Sequence, residues 1–315
     1  MAVSGLVWGI TLAALVGVIL LDLILVERRP REFGAREASR WVAFYVACAA
    51  LFAVFVGWKY GVGYAGEFVA GYLTEYSLSI DNLFVFMLIM SSFAVPAAYQ
   101  HRVLLVGIVI ALVLRGILIV VGAELISRFS FIFYLFAAFL LFTAWKVWTA
   151  DDSEEEKDVQ GNALVTWVST RFPTTNEYHG NALTATIAGR RVLTPMALVM
   201  LAIGTTDLLF AVDSIPAVFG ITQQPYLVFT ANAFALMGLR QLFFLLKGVL
   251  GRLVHLNKGL AIILGFIGVK LLLEALHSTT SLPVPVIPIW MSLLVIVGVL
   301  AVTAFASLRT PRGSD

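Results

Sequence analysis

The sequence predicts an all-α polytopic membrane protein of about nine transmembrane helices, with the N-terminus outside and the C-terminus inside. Three observations predict it. Of 315 residues, 60% are hydrophobic and only 13% charged, against about 25% charged in an ordinary soluble domain, and the mean hydropathy is +0.95. Apolar runs near the ~20 residues needed to cross a bilayer recur along the whole chain. Basic residues gather on alternate connections, as the positive-inside rule requires.

The nine runs are 5–26, 41–59, 67–93, 103–122, 129–148, 193–220, 226–247, 257–277 and 286–308. The connection after the first carries Arg28, Arg29, Arg31, Arg36 and Arg40, which marks it as cytoplasmic. The later basic groups are His101-Arg102, then Arg171, Arg190 and Arg191, then Lys247, Arg252 and Lys258, then Arg309 and Arg312. All fall on the same side under this threading, whereas the opposite connections carry Lys59, Arg128 or no basic residue. The net charge of +2 says less than this placement. Met1–Gly9 lacks the positive start of a signal peptide. The lone cysteine, Cys48, excludes an internal disulfide and a multi-cysteine metal site.

Five regions follow. Residues 1–59 hold two peripheral spans and a basic loop, 67–148 a first triplet of spans, and 149–192 a hydrophilic cytoplasmic segment. Residues 193–277 hold a second triplet, and 286–315 a last span with a basic tail. Within 149–192, Asp151–Asp158 reads as a solvated acidic linker. Asn162–Arg171 suits a short amphipathic helix, and Ala182–Thr194 a hairpin turning near Gly189.

Two stretches place carboxylates where a bilayer makes them costly. Glu75 and Asp81 stand six residues apart in the third span, followed by Asn82; Asp207 and Asp213 repeat the spacing in the sixth, followed by Ser214. An ionised carboxylate at the bilayer centre costs about 3 kcal/mol or more unless paired, hydrated or bound to a cation. The triplets share more. Arg115 and Arg240 lie in their second spans, Lys146 and Lys270 in their third. Because the third and sixth spans run in opposite directions, the triplets are inverted repeats, an arrangement that builds midplane transport sites.

Six residues along an ideal helix separate two side chains by ~120° and ~9 Å. Either the helix breaks, or partners come from other helices. Pro216 offers a break in the second copy, since it cannot donate to the Val212 carbonyl. In the first, Ser77, Ser79 and Asn82 can compete for backbone hydrogen bonds. An all-oxygen donor set suits magnesium, calcium or manganese rather than zinc or copper. The four acids against Arg115 and Arg240 leave two negative charges, which one divalent cation or protons would balance. The bland alternative is that the acids are structural partners of the arginines, although buried ion pairs add little net stability. The arginines themselves read better as such partners than as ligands. Lys146 reads as a snorkelling side chain, Asp22 as reaching the interface, and His101, His255 and His277 as helix-end residues.

Gly61-Val-Gly63-Tyr-Ala-Gly66 matches a dinucleotide-binding pattern but sits between two spans with no βαβ unit. No Walker loop, zinc-protease helix or nucleophile elbow is present, so nothing argues for an enzyme or for a nucleic-acid partner.

Glu75-Tyr-Ser-Leu-Ser-Ile-Asp-Asn-Leu-Phe-Val-Phe86 and Thr206-Asp-Leu-Leu-Phe-Ala-Val-Asp-Ser-Ile-Pro-Ala217 resemble the two signature motifs of the TerC family. Phe229–Arg240 and the Tyr178-His-Gly180 loop resemble it too, and the likeness runs from about Arg40 to Glu274. The family is named after tellurium resistance, and its bacterial members include the Alx-type proteins. The resemblance implies a bacterial plasma (inner) membrane metal-ion transporter, with manganese export the favoured role and the acid motifs as the ion site. Plant relatives are linked to thylakoid membrane-protein assembly. Many relatives carry an acid where this chain has Gly204.

The expectation is therefore a divalent-cation exporter driven by proton antiport. Glu75, Asp81, Asn82, Asp207, Asp213 and Ser214 would hold the ion; Arg115, Arg240 and Lys270 would balance charge or gate. Manganese is the first candidate substrate, with calcium and magnesium next, and no permanently bound cofactor is expected. The alternatives are a membrane-assembly scaffold, a tellurite-resistance component without transport of its own, and an oxyanion exporter using Arg115 and Arg240. The sequence leaves the oligomeric state open.

Overall fold

The computed structural model describes residues 1–27, 35–129, 131–149, 163–187, 189–246, 256–280, 284–285 and 287–309. The side chains of Asp22, Asp81, Asp213 and Arg240 lie outside the described residues. So do the linker 150–162 and His255.

Apolar sequence with few breakers folds as helix because, in hydrocarbon, every backbone polar group needs an internal partner. The helices are α1 (Gly5–Glu27), α2 (Ala35–Tyr60), α3 (Val62–Ser92), α4 (Ala97–Arg128) and α5 (Ile132–Thr149). After the hydrophilic segment come α6 (Ala163–Arg171), β1 (Thr184–Ile187) and β2 (Arg190–Leu193), then α7 (Pro195–Phe219) and α8 (Pro225–Met237). The chain closes with α9 (Leu239–Leu246), α10 (Leu256–Thr279) and α11 (Ile289–Arg309). Among the described residues six helical stretches are long and apolar enough to cross a membrane: 36–60, 98–128, 132–149, 195–219, 258–277 and 289–307. Gly5–Val18 and Pro225–Met237 are apolar but shorter. Helix α3, about 46 Å long at the α-helical rise, carries Glu67, Glu75 and Asp81. This is an all-α polytopic membrane protein.

Starts and stops follow local chemistry. Pro195 and Pro225 open α7 and α8 at the first helical position, where the missing N–H has no helical partner to lose. The hairpin pairs Thr184 with Leu193 and Ile187 with Arg190, turning through Gly189 at φ +77°, a left-handed conformation that suits glycine.

Neither acid-bearing helix breaks. Helix α3 runs unbroken past Ser77, Ser79 and Asn82, and α7 runs through Pro216 to Phe219. The Ser77 and Ser79 hydroxyls make no hydrogen bond, so they do not compete with the backbone, and Pro216 falls in the last turns of α7, where only one bond is lost. The interruption lies instead at Gly238, between α8 and α9, where glycine's poor helix propensity permits it.

Packing pairs define the bundle. Helix α3 lies beside α8 and runs parallel to it: Gly71 faces Ala231, and Tyr76 lies against Gly238. Helix α4 lies parallel to α7, with Gly107 against Ile203, Ile110 against Gly204 and Gly122 against Phe219. Helices α5 and α10 are antiparallel, with Ala144 against Gly265, Leu141 against Gly268, and Tyr134 hydrogen-bonded to Thr279. Helices α3 and α7 are also in contact, as are α5 with α7 and α10 with α3. Helix α11 packs on α3 and α10.

Gly107 allows a close α4–α7 approach, since a Cβ there would stand 2.9 Å from Ile203 Cγ2. Gly107→Ala is expected to lower the melting temperature in detergent, because a β-branched neighbour has few rotamers into which to retreat. Ile203→Ala in the same chain should recover part of the loss, making the pair less destabilised than the sum of the singles.

Candidate functional site

At the centre of the bundle one arginine gathers both motifs. Arg115, on α4, is 0% exposed, and Glu75 on α3 and Asp207 on α7 are each 1% exposed. Its Nη1 donates to Glu75 Oε2 at 2.8 Å and to Ser214 Oγ at 3.2 Å. Nη2 donates to Asp207 Oδ1 at 3.1 Å, and Nε to Asp207 Oδ2 at 3.4 Å, a two-pronged grip on one carboxylate. Asn82, with its amide turned so that nitrogen donates to the Leu78 carbonyl at 3.0 Å, accepts from Nη2 at 3.1 Å.

Helical geometry explains the set. Glu75 and Asn82 stand seven residues apart, as do Asp207 and Ser214, and two helical turns return a side chain to the same face. The six-residue acid spacing does not share a face; the seven-residue acid-to-amide and acid-to-hydroxyl spacings do. The structure thus unites Glu75, Asn82, Asp207, Ser214 and Arg115. Asp81 and Asp213 each precede Asn82 and Ser214 by one residue, but their side chains, like that of Arg240, lie outside the described residues.

The donor set suits a cation in part. The second oxygen of Glu75, Oε1, is buried without a hydrogen bond, and so are the hydroxyls of Thr74, Ser77 and Ser79 on the same helix. Buried oxygens left unpaired cost free energy, and a cation or water would satisfy them. Asn232, in the Phe229–Arg240 stretch on α8, is buried with neither amide atom hydrogen-bonded. Among the described residues, however, no three carboxylate, imidazole or thiol side chains converge as a metal centre. Two central carboxylates and one guanidinium leave a single negative charge.

Lys270, on α10 and 7% exposed, has Glu274 and Glu67 as electrostatic neighbours. Glu67 lies eight residues before Glu75, about 12 Å along α3, and its Oε2 accepts from the Thr222 hydroxyl at 2.5 Å. Gln223 donates to Glu274 at 2.9 Å. Sequence reasoning passed over Glu67 and Glu274, although the Lys270–Glu274 spacing of four residues is that of a helical ion pair.

Other expectations settle simply. Lys146 is exposed, near the end of α5. His101 is buried and lies against the Phe244 ring, with centroids 4.2 Å apart. A Cβ on Gly204 would meet Ile110 at an ordinary 3.5 Å, so packing does not compel glycine there.

Tyr178 ties the hydrophilic segment to the bundle by donating to the Phe93 carbonyl at 2.8 Å. Burial pushes its phenol up from the ordinary value. A raised folded-state pKa means that the contact contributes fully below the unfolded value near 10 and is lost as pH rises through the folded value. Tyr178→Phe is expected to cost about 1 kcal/mol and to speed proteolysis within 172–194 at neutral pH. It should also flatten the rise in cleavage seen in wild type at alkaline pH.

Comparison with known proteins places the chain. The profile of the integral membrane protein TerC family matches residues 60–314. An uncharacterized membrane protein of Mycobacterium tuberculosis (strain H37Rv) is 45% identical over 99% of this chain and 81% of its own length. One from Myxococcus xanthus is 37% identical over 97% of this chain and 92% of its own. The Escherichia coli (strain K12) protein named "Putative membrane-bound redox modulator Alx" is 40% identical over 95% of this chain and 92% of its own. No solved structure matches the chain. These relatives are bacterial membrane proteins, in keeping with residence in a bacterial inner membrane. With a family profile matched over most of its length and both acid motifs packed around Arg115, the chain belongs to the integral membrane protein TerC family.

Proposed function

We propose that this protein exports a divalent metal cation, manganese before calcium or magnesium, by exchange against protons at a midplane carboxylate site. The observation that carries the reading is the buried cluster in which one arginine holds a carboxylate from each motif. It leaves a net negative charge and free oxygens in the core. Asp81 and Asp213 would complete the ion site and carry protons when the metal leaves. Arg115 would hold Glu75 and Asp207 in position and set how many charges a cation must balance.

The packing supports an inverted repeat across nine spans. Exchanging α3 with α7, α4 with α8 and α5 with α10 turns the parallel α3–α8 contact into the parallel α7–α4 contact. It turns α5–α7 into α10–α3 and maps the antiparallel α5–α10 pair onto itself. The same exchange swaps Glu75 with Asp207 and Asn82 with Ser214. Arg115 therefore contacts both members of both pairs and sits close to the pseudo-two-fold axis. A site on such an axis can face either side as the halves rock.

One observation favours a second reading, a scaffold or assembly factor: Arg115 ties α3, α4 and α7 together, as a structural ion pair would. The redox role in the name of the Escherichia coli relative has less support, because a single cysteine cannot form an internal dithiol couple. The discriminating experiment expresses the chain in bacterial cells under manganese stress and measures cell manganese by mass spectrometry. Export predicts lower content in cells carrying wild type than in cells carrying Asp81→Asn. Equal content in both, at equal membrane abundance, would overturn the reading.

A further inference from the structure

Helix α1 leaves a groove against α2 and α8, away from the central site. It meets α8 through Trp8, whose ring lies 4.9 Å from that of Tyr226 and 5.9 Å from that of Phe229. The Thr11 and Tyr226 hydroxyls are hydrogen-bonded at 2.7 Å. Beside these contacts the three helices border a cavity of about 500 Å³, within the size range of ligand pockets. Its walls include Ile10 and Ala14 of α1, Leu51 and Phe55 of α2, and Phe234 and Met237 of α8. Apart from the engaged Thr11, the Cys48 thiol and Lys59, the lining is hydrocarbon.

The length of the groove is that of one leaflet. Val7 clusters with Val56 and Leu15 with Tyr45, so α1 and α2 are antiparallel. The groove therefore runs from Leu6 and Lys59 at one end to Val18 and Cys48 at the other. At the α-helical rise these walls measure about 18 Å on α1 and about 16 Å on α2, close to half of a hydrocarbon core about 30 Å thick. A partner's spanning helix needs a groove through both leaflets, whereas an acyl chain needs one.

The mouth of the groove is cationic. Lys59 lies in the last turn of α2, between Tyr60 and Trp58, which is 83% exposed; such aromatic residues mark a bilayer interface. Its ammonium stands 5.6 Å from the Phe55 ring centre and 5.5 Å from that of Tyr60. Among the described residues Lys59 forms no salt bridge. An exposed ammonium at this level attracts anionic headgroups.

We propose that this groove binds one anionic phospholipid, with its phosphate on Lys59 and one acyl chain between α1, α2 and α8. The inner end of that chain reaches Phe234 and Met237, in the last turn of α8 before the interruption at Gly238. The lipid thereby fastens α1 to the bundle.

The test uses the full-length protein in phosphatidylcholine nanodiscs containing a trace of photoactivatable lipid with a diazirine on its acyl chain. Phosphatidylglycerol and phosphatidylcholine probes with identical chains are compared, and peptide mass spectrometry locates the label after illumination. Label on the exposed face of α11, at Leu294 and Val297, reports ordinary boundary lipid. Relative to that face, the phosphatidylglycerol probe should label 6–18 and 48–55 about tenfold more than the phosphatidylcholine probe, as a charge-assisted contact implies. Lys59→Gln should abolish the difference. Ala14→Phe, which fills the groove from a site exposed on α1, should suppress groove labelling by both probes and leave α11 labelled. Equal labelling by the two probes in wild type, a preference that survives Lys59→Gln, or groove labelling unchanged by Ala14→Phe would each overturn the proposal. So would an unlabelled groove in which mild oxidation joins two chains through Cys48, a result that gives the groove to a second copy.

Discussion

Arg115→Met is expected to be among the most destabilising single substitutions in this chain. The guanidinium contacts Glu75, Asp207, Ser214 and Asn82 with no solvent access. Removing it strands two buried carboxylates without the cation that both contact. Breaking a buried pair from one side costs about 3–5 kcal/mol, a fall in melting temperature on the order of 10 °C. Detergent-solubilised protein should show it by intrinsic fluorescence, with a drop in monodisperse yield. Adding Glu75→Gln and Asp207→Asn should restore most of the stability, because the neutral set leaves no buried charge. That triple variant should still fail to move metal. An Arg115→Met protein that melts with wild type would mean that the central cluster is hydrated or differently paired.

The second large effect concerns transport rather than folding. Asp81→Asn and Asp213→Asn keep side-chain size while removing the charge and the titratable proton. Glu75 and Asp207 keep their bonds to Arg115 in both variants, so membrane insertion and melting should stay near wild type. Losing one anionic ligand of a divalent site should lower metal flux by roughly 100-fold. The contrast with Glu75→Gln, which should damage stability and flux together, separates ion ligands from structural partners. Full flux in both asparagine variants would remove these carboxylates from the site.

Much of the helical architecture was legible because hydrocarbon imposes few options, so that apolar runs fold as helices. The hairpin at Thr184–Leu193 follows from its alternating residues and Gly189. Reading Pro216 as a break went wrong because one lost hydrogen bond near a helix end is cheap, whereas Gly238 lay inside an apolar run that looked continuous. The central acids were legible as costly residues in an apolar context. Pairing with an arginine was among the readings, but the geometry was not legible, because only the fold brings Arg115 between two helices 132 positions apart at Glu75 and Asp207. The neighbours of Lys270 were not legible either, because its place beside Glu67 and Glu274 depends on how α10 meets α3.

The measurement that tests the central claim most directly uses purified protein in liposomes loaded with a manganese-sensitive dye. A pH gradient is imposed, and wild type is compared with Asp81→Asn. The account predicts manganese flux in wild type that follows the gradient, accompanied by counter-movement of protons, and near-background flux in the variant. Well-folded wild-type protein that moves no manganese, calcium or magnesium under a gradient of either sign would contradict it.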